Sequence, residues 1–247
     1  MNPRLKSWLE ALLAFLYPPV CQICGTGRAG ADEGYVCAAC WSRPDGVRFI
    51  RPPFCERCGL PTEAAVTTTY ECSNCREMKL HFSRARAAVV ATGMVLEVIH
   101  RYKYRRALWF EPFLADLLIR QAADSLRAEG WDGLVPVPLH PVKRREREFN
   151  QAERLARRLG RATGLPVWRK LVRRVRFTPT QTALNRRERQ KNMRRAFAVR
   201  PGATLPGERF VVVDDVLTTG ATTSACAWAL RQAGAREVMV WTVARGL

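Results

Sequence analysis

The fifteen residues Phe210 to Ser224 (FVVVDDVLTTGATTS) constrain the fold more tightly than any other part of the chain. Phe210 to Val213 is a continuous apolar run, as expected of a strand buried on both faces of a parallel sheet. Ser224 to Gly234 (SACAWALRQAG) predicts the helix that follows. A strand that ends in Asp214 and Asp215 and turns through Leu217, Thr218, Thr219, Gly220, Ala221 and Thr222 into a helix N-terminus suits a phosphate. Free N–H groups and the positive end of the helix dipole point into such a loop, and the hydroxyls add donors. Gly220 lets the backbone approach closely.

Two adjacent acids would repel a phosphate. They become useful when the ligand also carries hydroxyls or a divalent cation, since carboxylates accept hydrogen bonds from a ribose diol and bind magnesium through oxygen. A ribose 5-phosphate satisfies both halves. The stretch VVVDDVLTTGATT resembles the phosphoribosyl-pyrophosphate signature of type I phosphoribosyltransferases. That resemblance implies that Val216, Leu217, Thr218, Thr219, Gly220, Ala221 and Thr222 form the phosphate loop. It also implies that Asp214 and Asp215 engage the ribose hydroxyls, with magnesium accompanying the pyrophosphate.

Eight of the nine cysteines fall into four Cys-x-x-Cys pairs: Cys21/Cys24, Cys37/Cys40, Cys55/Cys58 and Cys72/Cys75. The second half repeats the first at an offset of 34 residues for the leading pair and 35 for the trailing pair, and Gly25 and Gly59 follow the leading pairs. Two such knuckles complete a closed tetrahedral zinc site, which is structural because no position is left for water. The expected pairing is sequential, with Cys21, Cys24, Cys37 and Cys40 on one zinc and Cys55, Cys58, Cys72 and Cys75 on another. A crossed pairing also satisfies the spacing. Disulfides are the alternative, disfavoured because nothing suggests export. The ninth, Cys226, reads as an inert core residue.

The formal charge is +19, and its distribution matters more than its size. Lys+Arg against Asp+Glu is 20 against 4 in residues 139–200, so sixteen excess charges lie there. Such a density attracts nucleic acid, pyrophosphate or an acidic surface; a solvated arginine-rich face is the bland reading. Leu5 to Leu16 predicts a short apolar helix stopped by Pro18 and Pro19, too short to span a bilayer and without a signal-peptide cleavage site. It packs on the protein, or docks to a partner or membrane surface.

Beyond Phe82, strands expected at Arg86–Thr92, Leu134–Leu139 and Val238–Val243 alternate with helices at Val95–Tyr104, Leu108–Ala128 and Gln151–Thr163. This is an α/β pattern with a parallel sheet flanked by helices, and its ligands bind beyond the carboxyl ends of the strands. Pro136 to Gln151 (PVPLHPVKRREREFNQ) and Thr180 to Phe197 (TQTALNRRERQKNMRRAF), with the cysteine-rich N-terminus, resemble the ComF competence family over nearly the whole chain. Glu148 stands where the family usually has Gly. The resemblance implies three units: an N-terminal helix (1–18), a double zinc ribbon (19–80) and a phosphoribosyltransferase-like domain (81–247).

Lys143, Arg144, Arg145 and Arg147 are then candidates to neutralise pyrophosphate or to contact DNA, since arginine grips such oxygens in bidentate fashion. Arg169 to Arg195 holds eleven cations and reads as a flap over the site or a track for a phosphate backbone. Trp168 and Phe177 could stack on bases, although core positions suit them better. Tyr102, Lys103 and Tyr104 suit nucleic-acid contact or a solvated helix face. His81, His100 and His140 belong to no evident triad or ligand set.

The resulting expectation is a cytoplasmic protein that binds phosphoribosyl pyrophosphate or a related nucleotide phosphate and handles single-stranded DNA during natural transformation. Its partners would include other competence proteins, such as a DNA-uptake helicase. The rivals are an active phosphoribosyltransferase acting on a nucleobase or amine, and a non-catalytic interaction protein of the uptake machinery.

Overall fold

The computed structural model describes residues 19–62, 70–176 and 196–247. The expected helix at residues 5–16, Phe177 and residues 180–195 of the basic segment lie outside them. In chain order, the first cysteine repeat carries a short helix α1 (Ala38–Trp41) and the second a short helix α2 (Ser73–Glu77). Then come β1 (Ala85–Val90), α3 (Gly93–Tyr104), a 3-10 turn (Leu108–Phe110), α4 (Glu111–Ala128), β2 (Gly133–Pro136), α5 (Pro141–Arg147) and α6 (Gln151–Thr163). The remainder is β3 (Val172–Arg174), β4 (Phe197–Val199), β5 (Arg209–Leu217), α7 (Ala221–Gln232) and β6 (Glu237–Arg245).

β1, β6, β5 and β2 lie in that order in one all-parallel sheet, while β3 and β4 form a separate antiparallel pair. Alternation along the central strands sends Val211 and Val213 to one face and Phe210 and Val212 to the other. The first face is covered by α3, α4 and α6, with Leu114, Leu117, Leu118 and Ala122 of α4 fully buried as their spacing predicts. The second face receives α7 and the β3–β4 pair. Among the described residues, no helix is long and apolar enough to cross a membrane.

The cysteine repeats dock on different sides of this frame. The first joins the α3–α4 side, where the Trp41 ring meets Phe113 edge-on at 5.3 Å. Gly34 lies so close to Phe113 that a Cβ there would fall 2.6 Å from its backbone nitrogen. The second packs against Phe82, Leu217 and Ala221, beside the loop that enters α7. Between the repeats, Phe49 bridges Val89 in antiparallel fashion and covers the β1 edge of the sheet.

Two expectations need correction. β5 runs on to Leu217, so Asp214 and Asp215 lie within the strand and the turn is only Thr218–Gly220. The strand continues because β6 extends beside it, pairing Asp214 with Thr242, Val216 with Ala244 and Leu217 with Arg245. The strand expected at Leu134–Leu139 stops at Pro136, and the segment that follows contains helix α5. Pro141 starts it with a φ preset for the first turn, and the His140 ring nitrogen accepts the Val142 N–H at 3.3 Å.

Candidate functional site

The cysteines assemble sequentially. Cys21, Cys24, Cys37 and Cys40 converge in one cluster, and Cys55, Cys58, Cys72 and Cys75 in a second. Sulfur–sulfur separations are 3.7 Å for Cys21–Cys40 and 3.8 Å for Cys24–Cys37. They are 3.8 Å for Cys55–Cys75 and 3.7 Å for Cys58–Cys72. A tetrahedron with Zn–S bonds of about 2.3 Å has edges of about 3.8 Å, whereas a disulfide needs about 2.05 Å. All nine cysteines are unbridged. The clusters therefore fit structural zinc and not disulfides. Gly25 and Gly59 adopt φ of 73° and 66°, which explains a glycine after each leading pair. Cys226 is buried in α7, and burial holds its thiol well above the ordinary range.

The acid pair sits at the carboxyl end of β5. Oδ1 of Asp214 accepts the Asp215 N–H and Oδ1 of Asp215 accepts the Val216 N–H, both at 2.9 Å. Asp214 is 8% exposed and Asp215 3%. Being consecutive in a strand, they project to opposite faces. Asp215 Oδ2 receives the Lys103 ammonium, at 2.5 Å, from the last turn of α3. Burial, reinforced by the charge of Asp215, pushes the Asp214 carboxyl up to about 8. Burial alone would lower Lys103, but the charges of Asp215 and Asp214 hold it above its ordinary value.

Beyond Leu217 the chain turns through Thr218 and Thr219 to Gly220, which has φ of 76° and opens α7. Thr219 Oγ1 accepts the Ala221 N–H at 3.3 Å. Thr218 is exposed and Thr222 half-buried. A shallow cleft, open to solvent, separates Thr218–Gly220 from Cys58, Asn74 and Met78 of the second cysteine repeat. Its floor includes Arg245, a residue that sequence reasoning missed. The one available signal was a cation at the end of a mostly apolar strand.

The basic candidates follow β2 on the same edge of the sheet. Lys143 pairs with Glu146 at 3.1 Å, Arg144 lies 3.9 Å from Glu153, and Arg145 is exposed. The Arg147 guanidinium lies over the exposed Tyr104 ring, 4.7 Å from its centroid. Glu148 has φ of 65°, the left-handed conformation that favours Gly, and pairs with Arg106 at 2.9 Å. α5 thereby meets the end of α3, whose Lys103 reaches the acid pair.

Tyr102 and Lys103 present no face to nucleic acid. Tyr102 is fully buried with its hydroxyl 3.4 Å from Glu111, and Lys103 is committed to Asp215. Both contradict the solvated-face reading as well, because α3 turns this stripe into the core. Trp168 is half-buried; its Nε1 donates to the Asp132 carbonyl at 3.5 Å, and its ring lies against Gly133. His100 is exposed and stacks on Tyr104 at 4.8 Å, while His81 donates its backbone N–H to Ser224 Oγ at 3.0 Å.

Residues 12–78 match the family model of the double zinc ribbon domain. Competence protein F of Haemophilus influenzae is 30% identical over 201 residues, covering 78% of this chain and 85% of that protein. The DNA utilization protein YhgH of Escherichia coli K12 is 30% identical over 233 residues, covering 93% and 98% respectively. Competence protein ComFC of Streptococcus pneumoniae is 24% identical over 219 residues, covering 87% and 89%.

Proposed function

The chain belongs to the family of competence protein F, and we propose that it serves natural transformation by binding phosphoribosyl pyrophosphate or a related nucleotide phosphate and by handling single-stranded DNA. The observation that carries the ligand is the sequence of features at one strand end: a buried acid pair, a turn through Thr218 and Thr219, and a left-handed Gly220 opening a helix. In this reading Thr218 to Thr222 hold the 5-phosphate, and the acids meet the ribose hydroxyls or magnesium. Magnesium reaches Asp215 only by displacing Lys103. The pyrophosphate falls to Lys143, Arg144, Arg145 and Arg147 across the same edge.

The names of the relatives and the charge excess in residues 139–200 support the DNA part of the reading. The proposal divides the chain at residues 18 and 80, with the ribbons as scaffold. Calorimetric titration of the zinc-loaded protein with phosphoribosyl pyrophosphate and magnesium tests the ligand. One equivalent should bind to the wild type and fail to bind to Asp214→Asn/Asp215→Asn, which keeps the side-chain volumes. Absence of binding to the wild type would refute the assignment.

A further inference from the structure

Arg245 ends β6 and is 5% exposed, yet among the described residues no carboxylate pairs with it. A buried guanidinium without partners is costly, so its N–H groups must be satisfied otherwise. Nη1 donates to the Leu217 carbonyl at 3.1 Å, to the Thr218 carbonyl at 2.7 Å and to the Gly246 carbonyl. On its other side, Nε donates to the Cys58 carbonyl at 3.2 Å and Nη2 to Cys58 Sγ at 3.4 Å. One side chain thus grips both the turn after β5 and a ligand of the second cysteine tetrad.

The grip dictates how the turn faces. In a trans peptide the C=O and the following N–H point in opposite directions. Anchoring the carbonyls of Leu217 and Thr218 on Arg245 turns the N–H groups of Thr218 and Thr219 away from the guanidinium, ready for an anion. The far side of the grip depends on metal. Zinc with four thiolates carries net charge −2, and a guanidinium against one sulfur offsets part of it through a charge-assisted contact.

The internal repeat supplies a control. Cys24, the counterpart of Cys58, is exposed; its sulfur accepts from the Gly27 N–H at 3.3 Å and the Thr26 hydroxyl at 3.5 Å, and no arginine pairs with it among the described residues. Among the described residues, the second ribbon and not the first packs against Leu217 and Ala221.

We propose that Arg245 couples the second zinc site to the phosphate loop, holding Thr218–Gly220 in its anion-receiving form only while the Cys55/Cys58/Cys72/Cys75 tetrad holds its metal. The inference rests on the phosphate-binding reading of this loop for its purpose, but not for the coupling itself.

Hydrogen exchange of the full chain, followed by mass spectrometry on peptides spanning 217–224, tests it without any ligand. Cys72→Ser disables the second tetrad, and Cys37→Ser is the matching change in the first. Exchange in the loop should rise by about tenfold or more in Cys72→Ser and stay at the wild-type rate in Cys37→Ser. Arg245→Lys should show the same rise while metal analysis still finds both zincs, which separates the arginine link from loss of the metal and keeps the proposal falsifiable even if Cys72→Ser does not fold. A wild-type exchange rate in Arg245→Lys, or equal loosening by Cys37→Ser, overturns the proposal. If the loop responds as expected while the wild type binds no phosphoribosyl pyrophosphate, the coupling stands and only the ligand assignment falls.

Discussion

Glu148 closes α5 at φ 65°, where an L side chain is strained by about 1–2 kcal/mol. Its compensation is an ion pair with Arg106 whose partners are both exposed, worth less than about 1 kcal/mol. Strain outweighs the pair. Glu148→Gly should therefore raise stability by up to about 1 kcal/mol, read as a higher urea midpoint with an unchanged slope. Asp214 carries a different burden. Its carboxyl is pushed up to about 8 from an ordinary 3.8, so between those values the folded state binds a proton that the unfolded chain has released. Stability is then lost as pH rises from about 4 to 8. Asp214→Asn should flatten that decline and be the more stable protein at pH 8, as thermal melts across the window would show.

Among the elements, what the sequence made legible depended on whether local signals were complete. Helix α6 is found at the expected bounds because both ends are signed: the Asn150 side chain caps the first turn, accepting from Ala152 N–H at 3.0 Å, and Gly164 takes φ of 79°. The knuckle glycines were equally plain. The end of β5 was not, because its continuation past two acids is set by its neighbour β6, far along the chain. Helix α5 escaped notice because it buries no residue and so has no apolar period to read. Arg245, and the place of Lys103 beside the acid pair, could not be read from the sequence because their partners lie on other elements. The two repeats, similar in spacing, differ in what surrounds them. Gly25 faces open space, whereas a Cβ on Gly59 would fall 2.9 Å from the Ala85 carbonyl. Both positions carry the left-handed penalty of about 1–2 kcal/mol, so Gly25→Ala should cost about that much. Gly59→Ala should cost clearly more, since backbone must move. Urea unfolding of the two zinc-loaded variants makes the comparison.

For the whole molecule, the formal excess of sixteen charges in residues 139–200 overstates the surface available to a polyanion. Arg154 and Arg158 clamp the buried Glu111, the latter at 2.6 Å, and thereby join α6 to α4. Burial alone would raise Glu111, but the Arg158 and Arg154 guanidiniums hold it below its ordinary value. Arg157 and Arg169 close on Glu153 at 2.5 and 3.0 Å. These arginines are fold, not footprint. Arg145 and Arg147 stand on the exposed helix beside Tyr104, where a strand could meet both cations and a ring. Each phosphate neutralised on single-stranded DNA contributes about −0.7 to the slope of log affinity against log salt. Removing both side chains in Arg145→Ala/Arg147→Ala should therefore make the slope shallower by about 1.4. Arg154→Ala should lower the unfolding midpoint and leave the slope alone. If instead Arg154→Ala changes the slope and the α5 pair does not, the nucleic acid runs along α6, and the edge of the sheet that carries Thr218–Gly220 is not where DNA lies.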